Sequence, residues 1–245
     1  MGYKSIFICV LLLSSSIFCQ TLEVTYDIEI KQDGITDNNK KNEIGFNYLK
    51  SMYDQARKDI NNYPMEFLIS NNEYSIDFSQ SLEIDNEMQK IITPKKVTLG
   101  FIGLNETIYN NENTSYTLYN NIVTSYNLKN LTSWEITNES KKILGYNCLK
   151  AYFKTNIPEL KRVTMITPRY AWFTTEIPLK GGPTIFGNLP GLILELNTKL
   201  ASFKAISIQQ TNKQIKNIDF KDKKIMSFIE TEKYYKNTME KEIKN

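Results

Sequence analysis

Histidine is missing from all 245 residues, and cysteine occurs only as Cys9, Cys19 and Cys148. The first absence excludes Ser-His-Asp and Cys-His nucleophilic catalysis, and His-based zinc or copper sites. The second excludes a Cys-x-x-Cys metal or redox site. Once Cys9 and Cys19 are set aside with the leader described below, Cys148 has no disulfide partner and reads as a small buried residue of a strand. Charge of one sign is lacking too, with 30 Lys and Arg against 27 Asp and Glu. No basic stripe interleaved with aromatics occurs outside the C-terminal tail, so no nucleic-acid partner is expected. Apolar runs are short, and none approaches the roughly 20 residues of a membrane helix, so the mature chain is expected to have no transmembrane segment. No cofactor motif and no metal-ligand set is legible. Chemistry by carboxylates, lysine, tyrosine or oxygen-ligated metals stays open.

What is present begins with an export signal. Lys4 is a positive start, Ile6 to Leu13 an apolar stretch, and Ser14 to Cys19 leads to a cut before Gln20. A lipidated Cys19 is the alternative, but Phe18 stands where lipoprotein cleavage wants a small residue. The expected mature protein, residues 20–245, is one β-rich domain in the periplasm, at the outer membrane or outside the cell. Losing Lys4 would leave it a formal charge of +2, from +3 less one lysine.

Fifteen tyrosines and twelve phenylalanines suit a packed, β-rich body. Residues 21–31 alternate Leu22, Val24, Tyr26, Ile28 and Ile30 against polar neighbours, the period of a half-buried strand. Over 43–60 the period changes, and Ile44, Leu49, Met52, Tyr53, Ala56 and Ile60 share one helical face. Residues 65–70 and 73–78 predict a hairpin across Asn71-Asn72. Residues 86–97 read as a loop, and 101–109 and 116–126 as strands. Further strands are expected over 133–137, 143–154, 162–166, 170–175, 192–196 and 202–209, with 138–142 as a polar turn. From Lys221 to Asn245 the tail predicts a terminal helix. The expected fold class is α+β and β-rich: a curved, half-barrel-like antiparallel sheet, with an amphipathic helix packed on it and a C-terminal helix.

Several stretches of the second half resemble a known family. Trp134-Glu135-Ile136, Lys142 to Cys148, Lys150-Ala151, Ala171 to Pro178, Gly182-Pro183, Phe186 and Leu189 to Glu195 are similar, in order and spacing, to the GLPGLI family of exported Gram-negative proteins. The resemblance is specific from about 134 to 195 and looser over 67–81 and the tail. It implies export and a fold, and no activity. Asn188 replaces the first glycine of the name motif, and it is expected to keep a left-handed conformation there.

Gly182, Pro183, Asn188, Pro190 and Gly191 punctuate a short apolar piece between two strands. Either this loop folds over one end of the sheet with Phe186 and Leu189 plugging the core, or it forms the mouth of an apolar pocket with Trp134, Tyr170 and Trp172. Glu195 is a lone charge in an apolar run, so it needs a partner, for which Arg169 or Lys150 is expected. The candidate ligand-binding residues are therefore Trp134, Tyr170, Trp172, Phe186, Leu189 and Glu195. The favoured function is a non-enzymatic binding or accessory protein of the envelope, for an apolar small molecule, lipid or peptide. The alternatives are a structural partner of an outer-membrane protein and, further off, a hydrolase using Glu176 or Glu195 as acid or base.

Overall fold

The computed structural model describes residues 21–32, 34–35, 43–71, 73–78, 93–104, 107–119, 121–127, 129, 133–155 and 167–244. The expected export signal and the strand expected at 162–166 lie outside the described residues.

Strand β1 (Thr21–Ile30) buries Val24, Tyr26, Ile28 and Ile30 on alternate positions. Helix α1 (Glu43–Asp59) seats Tyr53 and Ala56 inward, and the Tyr53 hydroxyl donates to the Lys31 carbonyl at 2.7 Å. Strands β2 (Met65–Ser70) and β3 (Glu73–Phe78) form the expected hairpin, with Asn71 at φ 52°. The stretch expected to be loop and then strand holds helix α2 (Pro94–Ile102). Its start is marked by Thr93, whose side chain accepts from the Lys96 amide, and by Pro94 at the first turn; its end is Gly103 at φ 74°. These end signals outweigh the short apolar run that read as a strand. Strand β4 (Thr107–Asn111) follows, and the expected strand 116–126 divides into a hairpin, β5 (Thr114–Tyr119) and β6 (Ile122–Asn127).

Residues 138–142 are not a turn. They continue β7 (Ser133–Ile143), whose register slips between Ile136 and Ser140, and the real turn is Leu144-Gly145 at φ 51° and 88°. The charged run looked like a turn because β7 is the last strand of the sheet, and a sheet edge is commonly polar and bulged. Strands β8 (Tyr146–Lys154), β9 (Pro168–Thr174), β10 (Leu192–Thr198) and β11 (Ala201–Thr211) complete the second half. The tail opens as a short strand, β12 (Lys224–Ser227), before helix α3 (Phe228–Lys244).

All twelve strands join one open, curved sheet in the order β12-β6-β5-β4-β3-β2-β1-β11-β10-β9-β8-β7. Two meanders, β2 to β6 and β7 to β11, flank β1, which pairs antiparallel with both β2 and β11. Among the described strands, β12 pairs parallel with β6 and the other pairs are antiparallel, with one isolated parallel bridge between Gly181 and Leu192. The fold is thus α+β and β-rich, with an amphipathic helix and a C-terminal helix.

Paired residues share a face and successive residues alternate, so register assigns every side chain to one of two faces. The core face carries Trp134, Phe153, Ala151, Ala171, Leu196, Phe203, Ile28, Phe67, Ile76 and Ile108 across the sheet. The outer face of the first meander is crossed by residues 212–223. Lys213 bridges Glu23 and Glu66, Lys216 bridges Glu66 and Asp77, and Ile218 packs in a small second core with Tyr109 and Val123.

Candidate functional site

The loop between β9 and β10 lies along the core face and is tied to strands far apart in the sheet. Tyr74 of β3 donates its hydroxyl to the Thr184 carbonyl at 3.0 Å, and Ser115 of β5 donates to the Ile185 carbonyl at 3.0 Å. At the other end, the Trp134 indole donates to the Asn188 side-chain oxygen at 2.9 Å, and Phe186 meets the Phe153 ring edge-on at 5.1 Å. Phe186 and Leu189 are buried in the main core, Gly182 and Pro183 are buried, and Pro190 is exposed. Gly191 is demanded by close approach, because a Cβ there would lie 2.0 Å from the Thr174 carbonyl oxygen. Asn188 does not take positive φ, contrary to expectation. Its amide bonds the indole instead, so the side chain and not a left-handed backbone is what the position uses.

The expected site residues do not form one group. Trp134, Phe186 and Leu189 belong to the core-face side, whereas the register places Tyr170, Trp172 and Glu195 on the other face, where Trp172 is still buried and clusters with the main core and Tyr170 packs against it. There Glu195 pairs with Lys141 at 2.5 Å, not with Arg169 or Lys150. Arg169 stands at a register slip between β9 and β10, and Lys150 is taken by Glu139 at 2.9 Å. The Lys141 ammonium also sits 4.4 Å from the Trp172 ring centre. Lys150 lies 4.9, 5.1 and 5.6 Å from the rings of Tyr152, Tyr170 and Trp172. Hydrogen bonds to Tyr152 and Glu139 hold Lys150 well above the ordinary lysine pKa. Burial pushes the Tyr170 phenol up, with the Glu195 charge adding to it. Glu176 is exposed and accepts from the Asn147 amide and side chain at 3.0 and 2.7 Å. Burial raises the Cys148 thiol as well.

A concave site appears elsewhere, at the β12 end of the outer face. A groove of about 680 Å³ runs between β5–β6 and the segment 220–229. Tyr116, Phe220, Ile225, Phe228 and Ile229 supply its apolar walls, and Thr114, Ser125, Asn127 and Ser227 its uncharged polar atoms. Tyr116 and Phe220 meet edge-on at 5.2 Å. Ile225 is 57% and Ile229 39% exposed, so two large apolar side chains stand open at its rim. The volume falls in the usual range of ligand pockets, roughly 300–1,000 Å³. The wall is fixed by a capping box at the start of α3. The Ser227 hydroxyl accepts from the Glu230 amide at 3.3 Å, and the Glu230 carboxylate accepts from the Ser227 amide at 2.8 Å. That backbone bond is the main reason Glu230 titrates below the usual carboxylate range. Among the described residues no three or more Asp, Glu or Cys side chains gather as a metal site.

The family model described as "N-glycanase peptide, N-terminal domain", that of PNGase F-II, matches residues 47–235, well over half of the chain. The chain belongs to the PNGase F-II N-terminal domain family. No curated protein matches it. Two crystal structures of PNGF-II, in space groups P21 and C2, are each similar to it at 21% identity and a TM-score of 0.45. Each covers 85% of this chain, which spans 31% of PNGF-II.

The groove lies wholly within the residues matched to the PNGase F-II domain. Sequence reasoning missed it because Ile225 and Phe228 fall at helical spacing, although Ile225 belongs to a strand. The signal that marks the change is Ser227-Phe228-Ile229-Glu230, a capping-box pattern that starts the helix after Ser227.

Proposed function

We propose that this chain is an exported, non-catalytic binding domain that holds an apolar ligand in the groove between β5–β6 and residues 220–229. The observation that carries it is the uncharged, apolar-walled groove with Ile225 and Ile229 open at its rim. A lipid chain, an apolar small molecule or apolar peptide side chains would cover those isoleucines, for a gain of about 25 cal/mol per Å² removed from water. The expected seat, the loop at 181–191, is less suited, since Phe186 and Leu189 are packed into the core themselves. Export by the leader at 1–19 and membership of the GLPGLI family are part of this proposal. The family's N-glycanase name supports a role in a glycan-related setting.

Native mass spectrometry of protein purified from its own envelope tests this. A copurifying apolar ligand, lost in the doubly substituted Ile225→Asp, Ile229→Asp chain, is the expected result. Bare protein in both forms, with no uptake of a fluorescent fatty acid, would sink the proposal. Retention of an outer-membrane protein in place of a small ligand would favour the structural-partner alternative.

A further inference from the structure

We infer that residues 212–223 form an ionic strap that holds one wall of the groove in place, so that the grip on an apolar ligand weakens as salt loosens the strap. The inference rests on the groove being the binding site, and it adds how that site is controlled.

Residues 212–220 form neither helix nor strand, yet they cross the outer face from the end of β11 toward the start of β12. Side-chain charge fastens them. Lys213 reaches Glu23 of β1 at 2.7 Å and Glu66 of β2 at 3.1 Å. Lys216 reaches Glu66 at 2.6 Å and Asp77 of β3 at 2.7 Å. Glu66 and Asp77 stand directly opposite each other in the β2–β3 register. Two carboxylates so placed repel, and the Lys216 ammonium shared between them makes that site a seat for the strap. The Lys216 amide adds a bond to the Ser75 hydroxyl at 3.1 Å. Beyond these charges the strap turns apolar. Ile218 packs with Tyr109 and Val123, and Phe220 meets Tyr116 edge-on at 5.2 Å. Phe220 and Tyr116 are both groove walls, so the strap carries one wall of the site with it.

Exposure decides what can move this wall. Both lysines are 49% exposed and the three carboxylates 18–27%. Ion pairs this open to water are screened by salt. The walls on β5, β6 and β12 are instead set by strand pairing, which salt does not screen. The groove lining carries no charge, so an uncharged ligand in it gives salt nothing to act on directly. Salt acting on burial alone would leave binding unchanged or strengthen it. Weakening by salt must therefore pass through ion pairs of the protein, and those of the strap lead to the groove wall.

The test is a fluorescence titration with N-phenyl-1-naphthylamine, an uncharged apolar probe. Sodium chloride is raised from about 0.01 M to about 1 M, over which the screening length falls from about 30 to about 3 Å. We expect the Kd to rise about threefold across that range, the worth of one or two exposed ion pairs, with faster probe release. Hydrogen exchange at the Lys216 amide should quicken over the same range. Glu66→Gln should bind more weakly already at low salt, with a flatter salt dependence. Asn188→Gly, which removes a bond on the core face, should bind as the parent does at every salt. Affinity indifferent both to salt and to Glu66→Gln overturns the strap's control and leaves the groove as the binding site. Equal weakening by Asn188→Gly would trace the effect to general stability and overturn it as well. Absence of probe uptake at every salt sinks the groove reading itself, and the strap's control with it.

Discussion

The indole of Trp134 donates to the side-chain oxygen of Asn188 across 2.9 Å, joining the last strand of the sheet to the middle of the loop that lies on its core face. The two residues are 54 positions apart in the chain. The bond gives the Asn188 side chain a role that a glycine could not fill. Asn188→Gly removes the acceptor and adds backbone freedom. We expect it to destabilise by about 1–2 kcal/mol, read as a lowered urea midpoint at unchanged slope. A neutral or stabilised variant would show that the backbone, not the amide, governs the position.

Two glycines give opposite expectations for the same substitution. Gly191→Ala would drive a methyl to 2.0 Å from the Thr174 carbonyl oxygen, a backbone atom that cannot swing aside. A loss of about 3 kcal/mol or more is expected. Gly100 lies inside α2 with nothing within 4 Å of its Cβ position. There Gly100→Ala should stabilise by about 0.5–1 kcal/mol. Thermal melts of the two variants beside the parent settle both.

The capping box makes Ser227 a test of how α3 holds the groove wall. Ser227→Ala removes the acceptor for the Glu230 amide, and a cost of about 1 kcal/mol is expected. Ile229 and Phe228 lie on the first turn of that helix, so the same variant should weaken ligand uptake by the groove. A variant with lowered stability but full uptake would separate the helix start from the binding wall.

The strap at 212–223 gives stability an acid and an alkaline limb. Hydrogen bonds from Lys216 lead the effects that hold Glu66 below the usual carboxylate range. Its contribution is present above the unfolded glutamate value near 4.3 and is lost as pH falls through the lower folded value. Lys213 and Lys216 are raised, chiefly by Glu23 and Asp77 respectively. Their contribution is present below the unfolded lysine value near 10.4 and is lost as pH rises through the higher folded values. The contribution of these strap groups should be flat between the two limits. Glu66→Gln should lower the plateau and shallow the acid limb in urea titrations across pH. An unchanged acid limb would mean that the strap pairs are too screened to matter.

Much of the local structure was legible in the residues themselves. The alternation of Val24, Tyr26, Ile28 and Ile30 marked β1, and the helical spacing of Tyr53, Ala56 and Ile60 marked α1. Those periods arise from backbone geometry within a few residues, so no tertiary knowledge is needed to read them. Where a polar edge strand mimicked a turn, at 138–142, or a short capped helix at 94–102 replaced the end of an expected loop and the start of an expected strand, local pattern misled, because exposure is set by the neighbouring strands.

Sequence by itself determined that this is a β-rich chain with no histidine chemistry and a conformationally demanding loop at 181–191. Only the tertiary structure decided the grouping of its side chains. Strand pairing over long separations sets β1 between two meanders, and the pairings of Trp134 with Phe153 and of Ala151 with Ala171 set the parity that turns Trp172 away from Trp134. Successive residues of a strand face opposite sides of a sheet, so two tryptophans that looked like one pocket stand on opposite sides of it. The loop kept its place in the fold, the charged partner of Glu195 became Lys141, and the open groove came from a tail whose path no local period reveals.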